Sequence, residues 1–77
     1  MSNIYIRPYT RLQTTIRISD NIKRVLFANF GSTPIVLNKS SIPELKNLSS
    51  QYFAENDAFQ MIINAINNLE RIELWIT

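Results

Sequence analysis

Arg11-Leu12-Gln13-Thr14-Thr15-Ile16-Arg17-Ile18 is the stretch whose reading decides the fold. Leu12, Thr14, Ile16 and Ile18 fall on one side of a period-two pattern, and Arg11, Gln13, Thr15 and Arg17 fall on the other. Successive side chains of a strand point to opposite faces, so this alternation predicts a β-strand with one face turned to a core. The upstream segment Asn3 to Tyr9 repeats the pattern: Ile4 and Ile6 share one face, Tyr5, Arg7 and Tyr9 the other. Pro8 has no backbone donor and favours a bend or an edge near it. The two strands are expected to form a hairpin through Tyr9, Thr10 and Arg11.

Residues 22–30 admit two readings. As a helix, Asp20 would cap it, Ile22, Val25, Leu26 and Phe30 would share a face, and Gly31 would follow its end. As a strand, Val25 and Phe27 would alternate with Leu26 and Ala28, and Gly31-Ser32-Thr33 would turn into Pro34-Ile35-Val36-Leu37. A short apolar run, a turn and a second apolar run suit a hairpin, so the strand is preferred. Its drawback is a tight turn at Asp20-Asn21 that sets Arg17 across from Arg24, a repulsive pair.

Helical signals take over after Asn38. Ser41-Ile42-Pro43-Glu44 offers a capping box, with Ser41 as the cap, Glu44 three residues on and Pro43 in the first turn. Ile42, Leu45, Leu48 and Tyr52 follow at near-helical spacing. A second helix is expected from Asn56 or Asp57, with Phe59, Ile62, Ile63, Ile66 and Leu69 as its apolar stripe. Phe53 and Met61 fall off these stripes and suggest either a bend or a second apolar patch for dimerisation. Ile72, Leu74 and Ile76 then alternate with Glu73, Trp75 and Thr77 as a closing strand.

The order of elements predicts an α+β protein: a small two-layer sandwich whose antiparallel-rich sheet of four to five strands carries two helices packed on one face. Residues 1–77 make a single domain. Each inward side chain stabilises the fold by about 1.5–3 kcal/mol before entropy is subtracted. Twelve isoleucines supply much of that core. A polar replacement at Ile16, Ile63 or Ile66 is expected to unfold the domain.

Composition narrows the function. The chain has no histidine, no cysteine and one glycine, so soft metal ligands, near-neutral acid–base groups, disulfides and phosphate-cradling loops are missing. A core of this size rarely yields more than about 3–5 kcal/mol without a staple, which makes self-association or a partner-bound form an expectation. No secretory signal is visible at residues 1–10 and no apolar run approaches the length of a membrane span, so a cytoplasmic location without membrane contact is expected. Abundant Ile and Asn with little Gly points to an AT-rich gene, in keeping with an accessory or inhibitor protein of a phage or mobile element. Charge is split along the chain: residues 1–39 carry six cations against Asp20, and residues 40–77 carry Lys46 and Arg71 against five acids, leaving +2 overall.

Catalysis lacks a base beside any serine. Glu70 and Glu73 would be neighbours if a helix ran through both, and Glu55 lies close to Asp57, yet nothing makes these carboxylates converge. No catalytic residue, metal ligand or cofactor is assigned. The richer constellation is aromatic and basic. With Ile4 and Ile6 inward, Tyr5, Arg7 and Tyr9 project from the opposite face, joined by Arg11 and Arg17 on the next strand and Trp75 on the last. Such a face can supply the aromatic and arginine anchors of a protein interface, or stack bases and hold phosphates. It can also simply cover the sheet through stem packing and cation–π contact. A modest net charge and three lysines favour another protein as the partner over nucleic acid. A structural subunit of a larger assembly is the third reading. Replacing Arg7 or Trp75 by alanine is expected to weaken partner binding and leave the melting temperature nearly unchanged.

Overall fold

The computed structural model describes residues 2–7, 14–52 and 56–77. Four strands, β1 (Ser2–Arg7), β2 (Thr14–Ile18), β3 (Ile35–Asn38) and β4 (Arg71–Ile76), form one antiparallel sheet in the order β2-β1-β4-β3. Three α-helices complete the described residues: α1 (Asp20–Phe30), α2 (Ile42–Gln51) and α3 (Asn56–Leu69). This is the two-layer α+β sandwich expected from the alternation, with one helix more on the covered face.

β1 and β2 pair with Ile4 opposite Ile16 and Tyr5 opposite Thr15, as the matched alternation requires. The expected turn at Tyr9, Thr10 and Arg11, together with Leu12, lies outside the described residues. β4 does not add to an edge. It runs between β1 and β3, with Ile4 facing Ile76, Ile6 facing Leu74 and Leu37 facing Ile72.

Residues 22–30 are helical, which corrects the strand preference. Ser19 caps α1: its backbone is extended and its Oγ accepts a hydrogen bond from the Ile22 N–H at 3.2 Å. Asp20, proposed as the cap in the helical reading, sits in the first turn instead, where a negative charge suits the helix dipole. Ile22 and Leu26, one turn apart, are fully buried, with Val25, Phe27 and Phe30 packed against the same core. Gly31 ends the helix at φ 93°, a conformation that side chains with a Cβ disfavour. The helix also removes the repulsion that counted against the strand, because Arg24 leaves the sheet and Arg17 faces Asn3.

The cap between β3 and α2 is shifted from the expected position. Asn38 Oδ1 accepts from the Ser40 N–H at 2.9 Å, and Ser41 Oγ accepts from the Asn38 N–H at 3.2 Å. These bonds close a 3-10 turn at Lys39–Ser41, so the Ser41 hydroxyl is used there and makes no cap bond to α2. Pro43 does fall in the first turn of α2. α3 begins at Asn56 and buries Phe59, Ile62, Ile63 and Ile66, but Leu69 is exposed. The helix stops at Leu69, and the Glu70 N–H closes its last turn on the Ile66 carbonyl at 2.7 Å. Glu70 itself takes a left-handed φ of 67°.

Ile4, Ile6, Ile16, Ile18, Ile35, Leu37, Ile72, Leu74 and Ile76 line the inner sheet face and join the buried residues of all three helices in one core. Ser2, the one buried polar residue among those described, donates from its Oγ to Asp20 Oδ1 at 3.1 Å and ties β1 to α1. With every helix contributing to that single core, the opposite face of the sheet is left to solvent.

Candidate functional site on the outer sheet face

The pleat that turns Ile4 and Ile6 inward turns Tyr5 and Arg7 outward. The same rule on β4 sends Leu74 and Ile76 inward and Glu73 and Trp75 outward. The register then brings the two central strands together, with Tyr5 opposite Trp75 and Arg7 opposite Glu73. Arg7 reaches diagonally to Trp75, its guanidinium carbon 5.7 Å from the indole centroid, within cation–π range. Tyr5 and Trp75 thus meet from strands some seventy positions apart in the chain.

Glu73 is the electrostatic hinge of this cluster. Its Oε1 accepts from the Trp75 indole N–H at 3.4 Å, and its Oε2 lies 3.8 Å from an Arg71 nitrogen. Its neighbour on the other side is Val36 of β3, 47% exposed and the most open large apolar residue of the described chain. Across the sheet the outer residues therefore run Arg7, Glu73, Val36 in one row and Thr15, Tyr5, Trp75 in the next. An open depression of about 340 Å³ lies over the second row, lined by Tyr5, Arg7, Trp75 and Thr77. Thr77 is held there by its N–H donating to the Asn3 carbonyl at 3.0 Å.

The structure brings Tyr5, Arg7 and Trp75 together, and places Arg17 on the same face, on edge strand β2. Tyr9 and Arg11, the other two expected members, lie outside the described residues. Val36 was not singled out from the sequence, and Glu73 was weighed only as a carboxylate beside Glu70. Both sit at outward positions of alternating strands, so the pattern marks their face, but only the strand order makes them neighbours of Arg7.

Elsewhere the candidate chemistry disperses. Glu70 ends α3 and Glu73 lies out on the sheet, so no helix carries both. Glu55 lies outside the described residues. Among the described residues no three His, Cys, Asp or Glu side chains gather in a way that would hold a metal ion. None of the described helices is long and apolar enough to cross a membrane. Phe53, one half of the proposed second apolar patch, lies outside the described residues, and Met61 is 44% exposed on α3. Tyr52 packs against the core.

Comparison of the chain with protein-family models, with curated protein sequences and with solved structures finds no match.

Proposed function

We propose that this chain is a non-enzymatic protein-binding module that engages its partner through the outer face of the β-sheet. The observation that carries the reading is the meeting of Tyr5 and Trp75 on the two central strands, with Arg7 over the indole ring. Aromatic rings and arginine are the side chains that dominate binding energy at protein interfaces, and they act best on a rigid support. Here the support is the middle of a four-stranded sheet whose other side is the hydrophobic core. A small domain with this one presented face acts by occluding a site on its partner or by joining an assembly.

The same rings would serve as a stacking platform for single-stranded nucleic acid. Glu73 argues against that use. Its carboxylate lies in the cluster, opposite Arg7 and close to Arg71, and leaves too few net cations there for a strand that carries a phosphate at every nucleotide.

The test compares capture of cellular protein by the wild type and by Trp75→Ala and Arg7→Ala variants, each checked by thermal denaturation. The reading expects both variants to lose the captured protein while melting cooperatively. Undiminished capture by both well-folded variants refutes it, as does a protein whose only measurable ligand is nucleic acid.

A further inference from the structure

We propose that the partner bound by this face is acidic: a segment rich in Asp or Glu that seats one aromatic side chain in the depression over Tyr5 and Trp75. The inference rests on the reading of the outer sheet face as a protein-binding surface and names the chemistry of what it binds.

Among the described residues charge is also uneven between the two layers. The sheet's outer face carries Arg7, Arg17 and Arg71 against Glu73, an excess of two positive charges among the described residues. On the helical side and its junctions Lys23, Arg24, Lys39 and Lys46 are matched by Asp20, Glu44, Asp57 and Glu70. The whole positive excess of the described residues therefore lies on the face with the aromatic pair. The geometry of the single anion strengthens the asymmetry. Glu73 is partly sheltered at 31% side-chain exposure beside Arg71 at 62%, and Arg7 and Arg17 are exposed. The face carries a net positive charge among the described residues, and complementary potential steers and orients a partner of the opposite sign.

The depression sets the second half of the specificity. Its volume of about 340 Å³ lies at the small end of ligand clefts. It accommodates one ring and is lined by Tyr5, Arg7, Trp75 and Thr77. A planar side chain stacks or packs edge-on against such walls. Carboxylates flanking that ring would meet the guanidinium of Arg7, which lines the depression, or that of Arg17 on β2.

The position of Trp75 makes the test direct, since it is the only tryptophan in the chain and stands in the site. The full chain is titrated with a random Glu/Tyr copolymer, with a Lys/Tyr copolymer of equal length and with an oligothymidylate, and indole emission is followed under red-edge excitation that leaves tyrosine dark. The Glu/Tyr copolymer is expected to shift the emission, and to bind about tenfold more weakly when salt rises from about 0.1 to 1 M. Arg17→Glu, a change at an exposed edge position with folding checked by circular dichroism, is expected to weaken it about tenfold. Arg17→Gln should lie between the two. Absence of any response to the Glu/Tyr copolymer, or an equal response to the Lys/Tyr copolymer, overturns the acidic assignment. Oligothymidylate binding as tight as that of the Glu/Tyr copolymer overturns it too and shows that the face reads phosphate. If the Trp75→Ala and Arg7→Ala variants lose their cellular partner while the Glu/Tyr copolymer fails to bind the wild type, only the acidic assignment falls. If capture is indifferent to both substitutions, the docking face itself is wrong.

Discussion

Glu70→Gly should raise the stability of this protein, and the sign follows from backbone geometry alone. Glu70 closes α3 with its N–H on the Ile66 carbonyl and does so at φ 67°, the left-handed region. Placing an L-residue with a Cβ there costs roughly 1–2 kcal/mol, a cost glycine does not bear. Glycine has its own penalty, a larger loss of freedom on folding worth about 0.4–1 kcal/mol. The difference leaves a gain of about 0.5–1 kcal/mol, which in a domain of this size raises Tm by about 2–8 °C. The carboxylate complicates the comparison, since removing a negative charge from a helix C-terminus gains about 0.3 kcal/mol by itself at an exposed site. Glu70→Ala isolates that term, because alanine sheds the charge but keeps the strained Cβ. Thermal and urea denaturation followed by far-ultraviolet circular dichroism should therefore rank the three proteins Gly above Ala above the wild type, with Ala close to the wild type. A glycine variant that melts at or below the wild type, or an alanine variant that gains as much as glycine, refutes the reasoning.

The remaining predictions concern packing and capping. Ile66→Asp places a carboxylate where no solvent reaches. Its penalty of several kcal/mol matches the about 3–5 kcal/mol that an unstapled core of this size supplies, so the variant should show no cooperative melt. Leu69→Lys, three residues on but 40% exposed, should change stability by less than about 0.5 kcal/mol; a large loss would show that Leu69 packs in solution. Ser19→Ala removes the side-chain cap on the Ile22 N–H and should cost about 1 kcal/mol, read as a lower denaturation midpoint at unchanged m-value.

Much of this architecture can be read from residues 2–18 and 71–77, where alternation alone assigns both the strand and its buried face. The misreading of residues 22–30 has a physical origin. Val25-Leu26-Phe27-Ala28 is apolar on all sides, so over that short window it fits both periods. What settles it lies just outside: the Ser19 hydroxyl that caps one end and the glycine φ that stops the other. The exposure of Leu69 was hidden for a related reason. The apolar stripe continues through it, but the helix stops there at a glutamate, without glycine or asparagine to mark the end. For the site, the pleat gives the outward direction of Tyr5, Arg7 and Trp75, but not their proximity. That depends on β4 slipping between β1 and β3, and local sequence carries no trace of it. The split of charge along the chain gives no map of the surface either, because β4 from the acidic half lies between β1 and β3 from the basic half.

The central place of β4 has a consequence for the newborn chain. Until translation passes residue 76, the β1–β2 ribbon and β3 have no strand to join them, although all three helices that cover their undersides have been made. Pairing Ile4 with Ile76 closes a loop of about seventy residues, a topology that slows folding. A cut that releases Arg71–Ile76 would divide the sheet through its middle instead of trimming its border.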